Sequence, residues 1–260
     1  QSILSFFQPF IEKYRLVILT SSVYRPIWLS RKKVRIIQPA INPFSEKNKF
    51  IKLSQAKEIL FHFDVNPSQP IVAQVSRFDP WKDPLGVIQA YYLAKNQFPS
   101  LQLLLVGFFQ AADDPEAKEV FKKVEKHARG DSDIFLFADP SVLRDISNDL
   151  FVNAVYTASS VILQKSIKEG FGITVTEAMW KGKPVIGGRT TGIALQITHN
   201  QNGFLVSSPE EAGKYLIELL KSKSLRERIG QAAHQTVKEK FLFPRLILDH
   251  LRLYQELDLR

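Results

Sequence analysis

The chain has 260 residues, of which 45% are hydrophobic and 23% are charged, a composition typical of a globular protein with a substantial core. Its formal net charge of +9 favours an anionic partner, such as a nucleic acid, a membrane surface or a phosphorylated small molecule. The basic residues are scattered apart from the short run Arg31-Lys32-Lys33, which argues against nucleic acid as that partner. The sequence contains no cysteine, which excludes disulfides and thiolate chemistry.

The same features bear on where the protein is found. A sequence without cysteine is expected in the cytoplasm. The first residues lack the basic start and the long apolar run of a signal peptide, and no segment reaches the roughly 20 apolar residues that span a bilayer. We therefore expect a cytoplasmic protein with no membrane partner. Because residue 1 is Gln rather than Met, the chain is also consistent with a piece of a longer protein.

The N-terminal region comes first in chain order. It predicts a helix leading into a strand at 10–19 and a second strand at 34–37, and a proline-punctuated linker follows. We interpret residues 1–40 as the tail of an acceptor-side domain with this linker, residues 41–240 as a complete domain and residues 241–260 as a C-terminal helix.

From residue 71 onward, short apolar runs alternate with stretches of helical periodicity. Buried parallel strands are predicted at 71–75, 101–106, 134–137, 161–163 and 184–186. Helices are predicted at 84–97, 115–129, 146–158, 172–181, 209–221, 224–240 and 244–258. This alternation predicts an α/β fold with a doubly wound parallel sheet, whose ligands bind at the carboxyl ends of the strands.

The stretch from Glu169 to Gly187 is a glycine-containing loop that runs into a predicted helix. Gly170 and Gly172 allow positive φ angles and a close approach of a ligand to the backbone. A helix that begins near Gly172 presents unpaired N–H groups and the positive end of its dipole, which together suit a diphosphate. The stretch therefore indicates a nucleotide-sugar site.

Two glutamates flank this helix start. Glu169 is placed to accept hydrogen bonds from hexose hydroxyls, and Glu177, about one turn into the helix, is placed to accept them from both hydroxyls of a ribose. The spacing alone is weak evidence, because Glu210 and Glu218 repeat it on what is predicted to be an ordinary surface helix. The glycines and the apolar helix make the first pair the stronger candidate.

Arg77 and Lys82 follow the first strand of the predicted sheet, at the edge where such a sheet binds its ligand. Arg offers a planar fork and Lys a mobile point charge, and both suit a diphosphate. Taken alone, the two residues are equally consistent with ordinary surface charges.

In combination, these segments resemble the donor-binding half of retaining GT-B glycosyltransferases, the group that contains sucrose and glycogen synthases. The likeness is strongest to the trehalose glycosyltransferring synthases and covers about residues 35–240. It is carried by the linker at 39–48, Val-Ser-Arg-Phe-Asp-Pro-Trp-Lys at 75–82, Leu-Gln-Leu-Leu-Leu-Val-Gly at 101–107, Ala-Asp-Asp-Pro-Glu at 112–116 and the run at 169–187.

The resemblance implies a Rossmann-like domain that takes part in glucosyl transfer from a nucleoside diphosphate glucose to glucose, with retention, to give α,α-trehalose. It implies that Arg77 and Lys82 stabilise the departing diphosphate, where negative charge develops. It implies that Glu169 holds the donor sugar and Glu177 the ribose. It also implies donor contacts from the backbone of Gly170, Phe171, Gly172, Ile173 and Thr174. The implied partners are a nucleotide-sugar donor and a sugar acceptor, with no cofactor and no metal.

The chain departs from that family's pattern. Lys82-Asp83 replaces the usual Lys-Gly, which puts a carboxylate beside the proposed phosphate site and weakens donor binding by about 1 kcal/mol unless Asp83 points away. The stretch Gly-Gly-Arg-Thr-Thr-Gly at 187–192 replaces the simpler glycine pair that the family has near the donor. The acceptor half, with its histidine near the donor sugar, has no counterpart. We therefore expect the isolated chain to bind donor and to transfer little or nothing.

Other chemistries find less support. Asp131-Ser132-Asp133 has the form of the metal-binding motif of the other glycosyltransferase fold, but it precedes a predicted strand and is better interpreted as a turn. The histidines lack zinc-ligand spacing, so no metal site is predicted. No dinucleotide fingerprint and no nucleophile elbow favours an oxidoreductase or a hydrolase.

Several alternatives stay open. The missing half and Asp83 favour an inactive nucleotide-sugar-binding fragment, and a related sucrose- or glycogen-synthase-like transferase shares the architecture. A polyanion binder is supported by net charge alone. The donor base (UDP, ADP or GDP) is not readable, because base recognition in this fold is mostly backbone contact from loops such as 107–112 and 137–143. The apolar helix at 244–258 leaves homodimerisation open.

Overall fold

The computed structural model describes residues 3–108 and 115–258. Six of its strands are β3 (Ile71–Val75), β4 (Gln102–Val106), β5 (Ile134–Phe137), β6 (Val161–Gln164), β7 (Val185–Gly188) and β8 (Phe204–Val206). They form one parallel sheet in the order β5-β4-β3-β6-β7-β8. The strand order reverses between β3 and β6, as in the doubly wound dinucleotide folds, so the predicted fold class is confirmed.

Helices cover both faces of this sheet. They are α2 (Leu53–Phe61), α3 (Pro84–Lys95), α4 (Pro115–Ala128), α5 (Asn148–Ala158), α6 (Ile173–Trp180), α7 (Thr191–Ala194), α8 (Pro209–Lys221) and α9 (Lys223–Lys240). Because side chains alternate along a strand, each strand supplies both cores. Ala73 and Leu104 pack with α2, α5 and α6, whereas Val72 and Leu103 pack with α3, α4 and α8. A strand with two buried faces is apolar at nearly every position, which explains the continuous runs in the sequence.

The predicted strands at 71–75 and 134–137 have the observed bounds, and the other three shift by one or two residues. Helix α2, the short helix α7 and strand β8 had no prediction. Only three residues long, β8 offers no periodicity to recognise.

The N-terminal region has its own small sheet. Helix α1 (Ile3–Ile11) begins earlier than predicted, and β1 (Val17–Leu19) pairs in parallel with β2 (Val34–Ile36). The C-terminal helix α10 (Phe243–Asp258) lies against this region, where the Arg35 guanidinium pairs with the carboxylate of Glu256. The proposed domain boundaries at 40 and 241 stay a prediction.

Helices α1 and α10 carry apolar surface. Their exposed side chains are Ile3, Leu4, Phe6, Phe7, Phe10, Phe243, Ile247, Leu248, Leu251 and Tyr254. Among the described residues, no helix has both the length and the apolar character to cross a membrane.

Candidate active site

Two loops meet at the carboxyl edge of the sheet, one after β3 and one after β6. They bring Lys82 Nζ within 2.5 Å of Glu169 Oε2, although the two residues are far apart in sequence. Their side chains are 20% and 12% exposed, so the pair lies partly inside the edge rather than on the surface. Gln74 Nε2 donates to the Lys82 carbonyl at 2.7 Å, which fixes the backbone that carries the lysine. The structure thus brings together two of the three predicted catalytic residues.

The same loops are joined through Trp81. The Ile167 amide donates to the Trp81 carbonyl at 2.8 Å. The Lys168 ammonium lies 3.8 Å from the centroid of the Trp81 ring, a cation–π contact. Trp81 is 44% exposed, so these contacts join the two loops at the surface.

Asp83 does not place its charge against the proposed phosphate site. Its Oδ1 accepts from the Gly86 amide at 3.1 Å and caps α3, while its Oδ2 pairs with the Lys165 ammonium. The Lys165 side chain is only 5% exposed, so the two charges compensate each other in a nearly buried pair. The cost to donor binding that the sequence suggests therefore has no basis in the geometry.

The backbone at Asp83 also explains the departure from the usual Lys-Gly. Asp83 has φ 49° and ψ 53°, the left-handed conformation that glycine adopts freely and that Asp and Asn tolerate best among other residues. Glycine and aspartate are therefore compatible with the same loop path.

The glycine loop behaves as predicted at one of its two glycines. Gly172 has φ +83° and caps α6, so its backbone requires the freedom of glycine. The prediction of a positive φ at Gly170 is wrong, because its φ lies outside the positive range. A Cβ at Gly170 would meet no atom within 4 Å, so this residue offers open space rather than conformational freedom.

The stretch at 187–192 packs directly beneath this loop. A Cβ at Gly188 would lie 1.9 Å from the Ser166 carbonyl oxygen, and one at Gly192 would lie 2.6 Å from the Glu169 carbonyl oxygen. Gln196 Nε2 donates to the carbonyls of Phe171 and Gly172 at 2.5 and 3.1 Å. The departure noted in the sequence is thus a tight backbone support for the loop.

The remaining donor-binding candidates differ in what they present. Phe171 is buried and packs edge-on against Phe241, so its side chain belongs to the core. Ile173 is 39% exposed at the first turn of α6. The Thr174 carbonyl accepts from the Tyr156 hydroxyl at 3.4 Å. Of these three residues, only Ile173 has an exposed side chain that a ligand could reach without displacing the core.

Glu177 is buried, with only 6% of the residue exposed. Burial raises the pKa of its carboxyl group, opposed by the nearby Lys47 ammonium and by a hydrogen bond from Tyr156. Lys47 Nζ lies 3.7 Å from Glu177 Oε1 and 3.5 Å from Asp149 Oδ1, and the Tyr156 hydroxyl lies 3.3 Å from Glu177 Oε2. A buried carboxylate with these donors is more specific than the surface residue that spacing alone suggests.

Arg77 is the predicted catalytic residue with the most exposed side chain, at 60%. Its guanidinium forms a salt bridge of 3.2 Å with Asp79 in the same loop. The structure places Arg77 at the carboxyl edge but joins it to its own loop, whereas Lys82 reaches across to the other.

Sequence reasoning missed several supporting residues. Tyr24 donates from its hydroxyl to the carbonyls of Glu169 and Gly170 at 3.2 and 3.0 Å, which ties the N-terminal region to the loop. Lys47 lies in the linker that carries part of the family resemblance, and Lys165 lies just before the Glu169 loop. These positions are recognisable as charges near a motif, but no local spacing indicates a partner so distant in sequence.

Four other segments that the sequence analysis singled out are not part of this geometry. Most of the loop at 107–112 and of the motif at 112–116 lies outside the described residues. The loop at 137–143 is described: Asp139 accepts from the Ser141 amide at 2.8 Å and caps a short 3-10 helix, Pro140–Leu143. Asp131 and Asp133 form the expected turn, and both pair with Lys95.

Comparisons with known proteins bear on the family of this chain. The model of the family "Glycosyl transferases group 1" matches residues 55–236. A trehalose synthase of Rubrobacter xylanophilus is 39% identical over 257 residues, which cover 99% of this chain and 60% of that relative. The chain therefore spans about three fifths of the length of that curated relative.

Two solved structures share the fold. Sucrose-phosphate synthase from Thermosynechococcus elongatus superposes with a TM-score of 0.79 at 24% identity, covering 98% of this chain and 61% of that one. Anabaena HepE in complex with UDP and glucose gives a TM-score of 0.77 at 18% identity, covering 95% of this chain and 64% of that one. With a family model that matches most of its length and a doubly wound parallel sheet, this chain belongs to the group 1 glycosyl transferases.

Proposed function

We propose that this chain binds the donor of a retaining glycosyltransferase, which transfers glucose from a nucleoside diphosphate glucose to glucose and forms α,α-trehalose. The observation that carries the proposal is the pairing of Lys82 Nζ with Glu169 Oε2 at 2.5 Å, beside the glycine-capped start of α6. A cation for phosphate and a carboxylate for sugar hydroxyls thus stand together at the ligand-binding edge of the sheet. The trehalose synthase similarity supports the choice of sugar and acceptor.

Each residue has a role in this proposal. The diphosphate lies at the N-terminus of α6 and is neutralised by Lys82 and Arg77. Glu169 accepts hydrogen bonds from the hexose, and the backbone around Gly170 and Gly172 faces the sugar and the phosphate. Glu177 accepts from the ribose hydroxyls. On donor binding, Lys82 exchanges its carboxylate partner for phosphate oxygens, so its charge stays compensated throughout.

The reaction itself breaks the bond between the anomeric carbon and the diphosphate oxygen, and the bonding electrons leave with the diphosphate. A bond from the acceptor hydroxyl oxygen to the anomeric carbon forms on the same face, and the hydroxyl proton passes to the departing phosphate. Lys82 and Arg77 stabilise the charge that develops on the leaving group. The scheme uses no cofactor and no metal.

The inactive-fragment alternative drew part of its support from Asp83. Because that carboxylate is neutralised by Lys165, donor binding is not opposed by it. We propose that the 260-residue chain by itself binds donor and transfers little glucose, and that transfer requires acceptor contacts from outside it. Trehalose formation by the purified chain, from donor and glucose, would contradict this part of the proposal.

Calorimetric titration with UDP, ADP, GDP and their glucose conjugates tests donor binding. We expect binding to one nucleotide series, lost in Arg77→Ala and Glu177→Ala. Glu218→Ala is the matched control, since Glu218 belongs to a glutamate pair of the same spacing on helix α8. The proposal fails if no nucleotide binds, or if all three variants bind as the parent chain does.

A further inference from the structure

The Asp83–Lys165 ion pair contains the less exposed of the two paired lysines at the carboxyl edge. The Lys165 side chain is 5% exposed and that of Asp83 22%, whereas the neighbouring Lys82 and Glu169 are 20% and 12% exposed. A buried ammonium without a compensating charge is strongly unfavourable, so the position of Lys165 is determined by Asp83.

The pair connects the two backbone segments that carry the proposed catalytic groups. Asp83 directly follows Lys82, and Lys165 directly follows strand β6 and precedes the Glu169 loop. Both carboxylate oxygens of Asp83 are engaged, one by the Gly86 amide at 3.1 Å and one by Lys165. Asp83 is thereby held at the start of α3 and at the end of β6 at once.

Consequently, the backbone on either side of the pair has little freedom to separate. The Ile167 amide reaches the Trp81 carbonyl at 2.8 Å, and Lys82 Nζ reaches Glu169 Oε2 at 2.5 Å. Asp83–Lys165 is the third link between the loops, and all three depend on the same relative placement of the loops.

We propose that Asp83 and Lys165 are positioning residues, whose ion pair holds the Lys82 loop in register with the Glu169 loop for diphosphate binding. Neither residue needs to touch the ligand. The inference rests on the proposed function for its ligand, but the registration of the two loops is a property of the chain itself.

A ligand-free measurement tests the registration. Amide hydrogen exchange, followed by NMR, reports on the Ile167 amide, whose acceptor lies in the other loop. Asp83→Asn keeps an acceptor for the Gly86 amide and removes the charge opposite Lys165. We expect exchange at Ile167 to accelerate at least about tenfold, while the amides of β4 stay protected as before. Unchanged protection at Ile167 would overturn the proposal.

The unpaired Lys165 of Asp83→Asn is a separate source of instability. Lys165→Met removes the same ion pair and the buried ammonium, and leaves the Asp83 carboxylate, which is 22% exposed and still accepts from the Gly86 amide. Asp83→Asn/Lys165→Met leaves neither charge. We expect faster Ile167 exchange in all three variants. If exchange returns to the parent rate in the two variants that lack the lysine, the unpaired charge explains the effect and positioning is refuted.

A double-mutant cycle tests whether Asp83 acts through Lys82. Affinity for the nucleoside diphosphate that binds in the survey above is measured for the parent chain, Asp83→Asn, Lys82→Met and the double variant. We expect Asp83→Asn to weaken binding about tenfold in the parent and less than about twofold once Lys82 is absent. Equal losses in both backgrounds would assign Asp83 a general structural role and sink the proposal.

The two experiments also separate this inference from the proposed function. If the parent chain binds no nucleoside diphosphate, the proposed function fails. The part of the inference that concerns diphosphate binding then fails as well. Suppose instead that the parent chain binds a nucleoside diphosphate. If Asp83→Asn then leaves Ile167 exchange unchanged, or weakens binding equally with and without Lys82, only the positioning inference fails.

Discussion

Two pairs of lysines, Lys82 and Lys165 at the carboxyl edge of the central sheet and Lys181 and Lys183 at its amino edge, differ in their partners. At the carboxyl edge, Lys82 and Lys165 each pair with a carboxylate. At the amino edge, Lys181 and Lys183 precede β7 and donate to neutral oxygens: Lys181 to the Lys49 carbonyl and the Asn153 amide oxygen, Lys183 to the Thr157 carbonyl. Burial lowers the pKa of both amino-edge lysines to about 8.

The amino edge also has a cavity. A cavity of about 650 Å³ is lined there by Lys181 and Lys183, together with Trp180 stacked on His234 at 4.4 Å between ring centroids. Volume and lysines alone would point to this edge as the binding site. The carboxyl edge is the better candidate because its cation has a carboxylate partner that a phosphate can replace, beside a helix start that favours anions. The carboxylate partners of Lys82 and Lys165, which Lys181 and Lys183 lack, therefore distinguish the carboxyl edge as the candidate site.

Replacing one lysine at each edge gives the sharpest separation. Lys82→Met is expected to weaken nucleoside diphosphate binding about 100-fold, because it removes a charge-assisted hydrogen bond from a partly buried site. Lys183→Met is the matched control and is expected to leave the affinity unchanged. Calorimetric titration measures both. Similar losses in the two variants would abolish the distinction between the edges.

Glu177 provides a test on a carboxylate rather than a lysine, and its pKa is raised by burial. Glu177→Gln is expected to weaken binding of the ribonucleotide about 30-fold and to leave a dideoxyribose analogue unaffected, since the lost hydrogen bonds are those of the ribose hydroxyls. The groups that face Glu177 are Lys47, Tyr156 and Asp149, with Lys181 on the same helical segment.

The raised pKa of Glu177 gives a pH dependence with a definite sign. The proposed role of Glu177 in binding ribose needs the ionised carboxylate, so we expect affinity to fall as the pH falls through this raised pKa, above the range of an ordinary glutamate. The loss should be absent in Glu177→Gln. A parent chain whose ribonucleotide affinity stays constant down to the ordinary pKa range of glutamate would contradict the assignment.

Much of this site can be predicted from the sequence, for a physical reason. Strand β3, the glycine start of α6 and the loop that follows β3 are local features, and a parallel sheet brings the carboxyl ends of its strands to one edge. The sequence alone therefore places Lys82 and Glu169 at the same edge. The positive φ expected at Gly170 is wrong, because a glycine in a loop signals either conformational freedom or open space, and the sequence does not distinguish them.

The supporting contacts are not predictable in the same way. From the sequence, Asp83 is expected to weaken donor binding because it follows Lys82. In the structure it pairs with Lys165, which lies at the end of another strand. Lys47 and Tyr24 reach the site from the N-terminal part of the chain. Such pairings depend on side-chain direction and tertiary packing, for which local periodicity carries no signal.

Lys183, at the amino edge, is expected to affect the free energy of unfolding rather than ligand binding. Burial lowers the pKa of its ammonium from 10.5 to about 8. Between these pH values the unfolded chain binds more protons than the folded chain, so the free energy of unfolding rises with pH from about 8 to about 10.5.

Lys183→Met removes this contribution together with the hydrogen bond to Thr157. We expect a gain of about 1 kcal/mol in unfolding free energy at pH 7 and a flatter dependence at alkaline pH, measured by urea denaturation. A loss of stability at neutral pH would mean that the ammonium is better compensated than its carbonyl partner suggests.

One glycine at each edge provides the finest comparison. Gly182, between the two amino-edge lysines, has φ +66°, whereas Gly170 lacks a positive φ and faces open space. Gly182→Ala is expected to lower the unfolding free energy by about 1 kcal/mol and to leave donor affinity unchanged. Gly170→Ala is expected to change stability by less than about 0.5 kcal/mol.

The effect of Gly170→Ala should appear in binding selectivity instead. Its added methyl group occupies the space that the proposed sugar approaches, so affinity for the glucose conjugate should fall a few-fold relative to the nucleoside diphosphate alone. Parallel titrations with the two ligands measure that ratio. An unchanged ratio would show that the hexose does not lie against Gly170. The proposed diphosphate position at Lys82 would be unaffected, and the sugar would then be assigned to the Glu169 side of the loop.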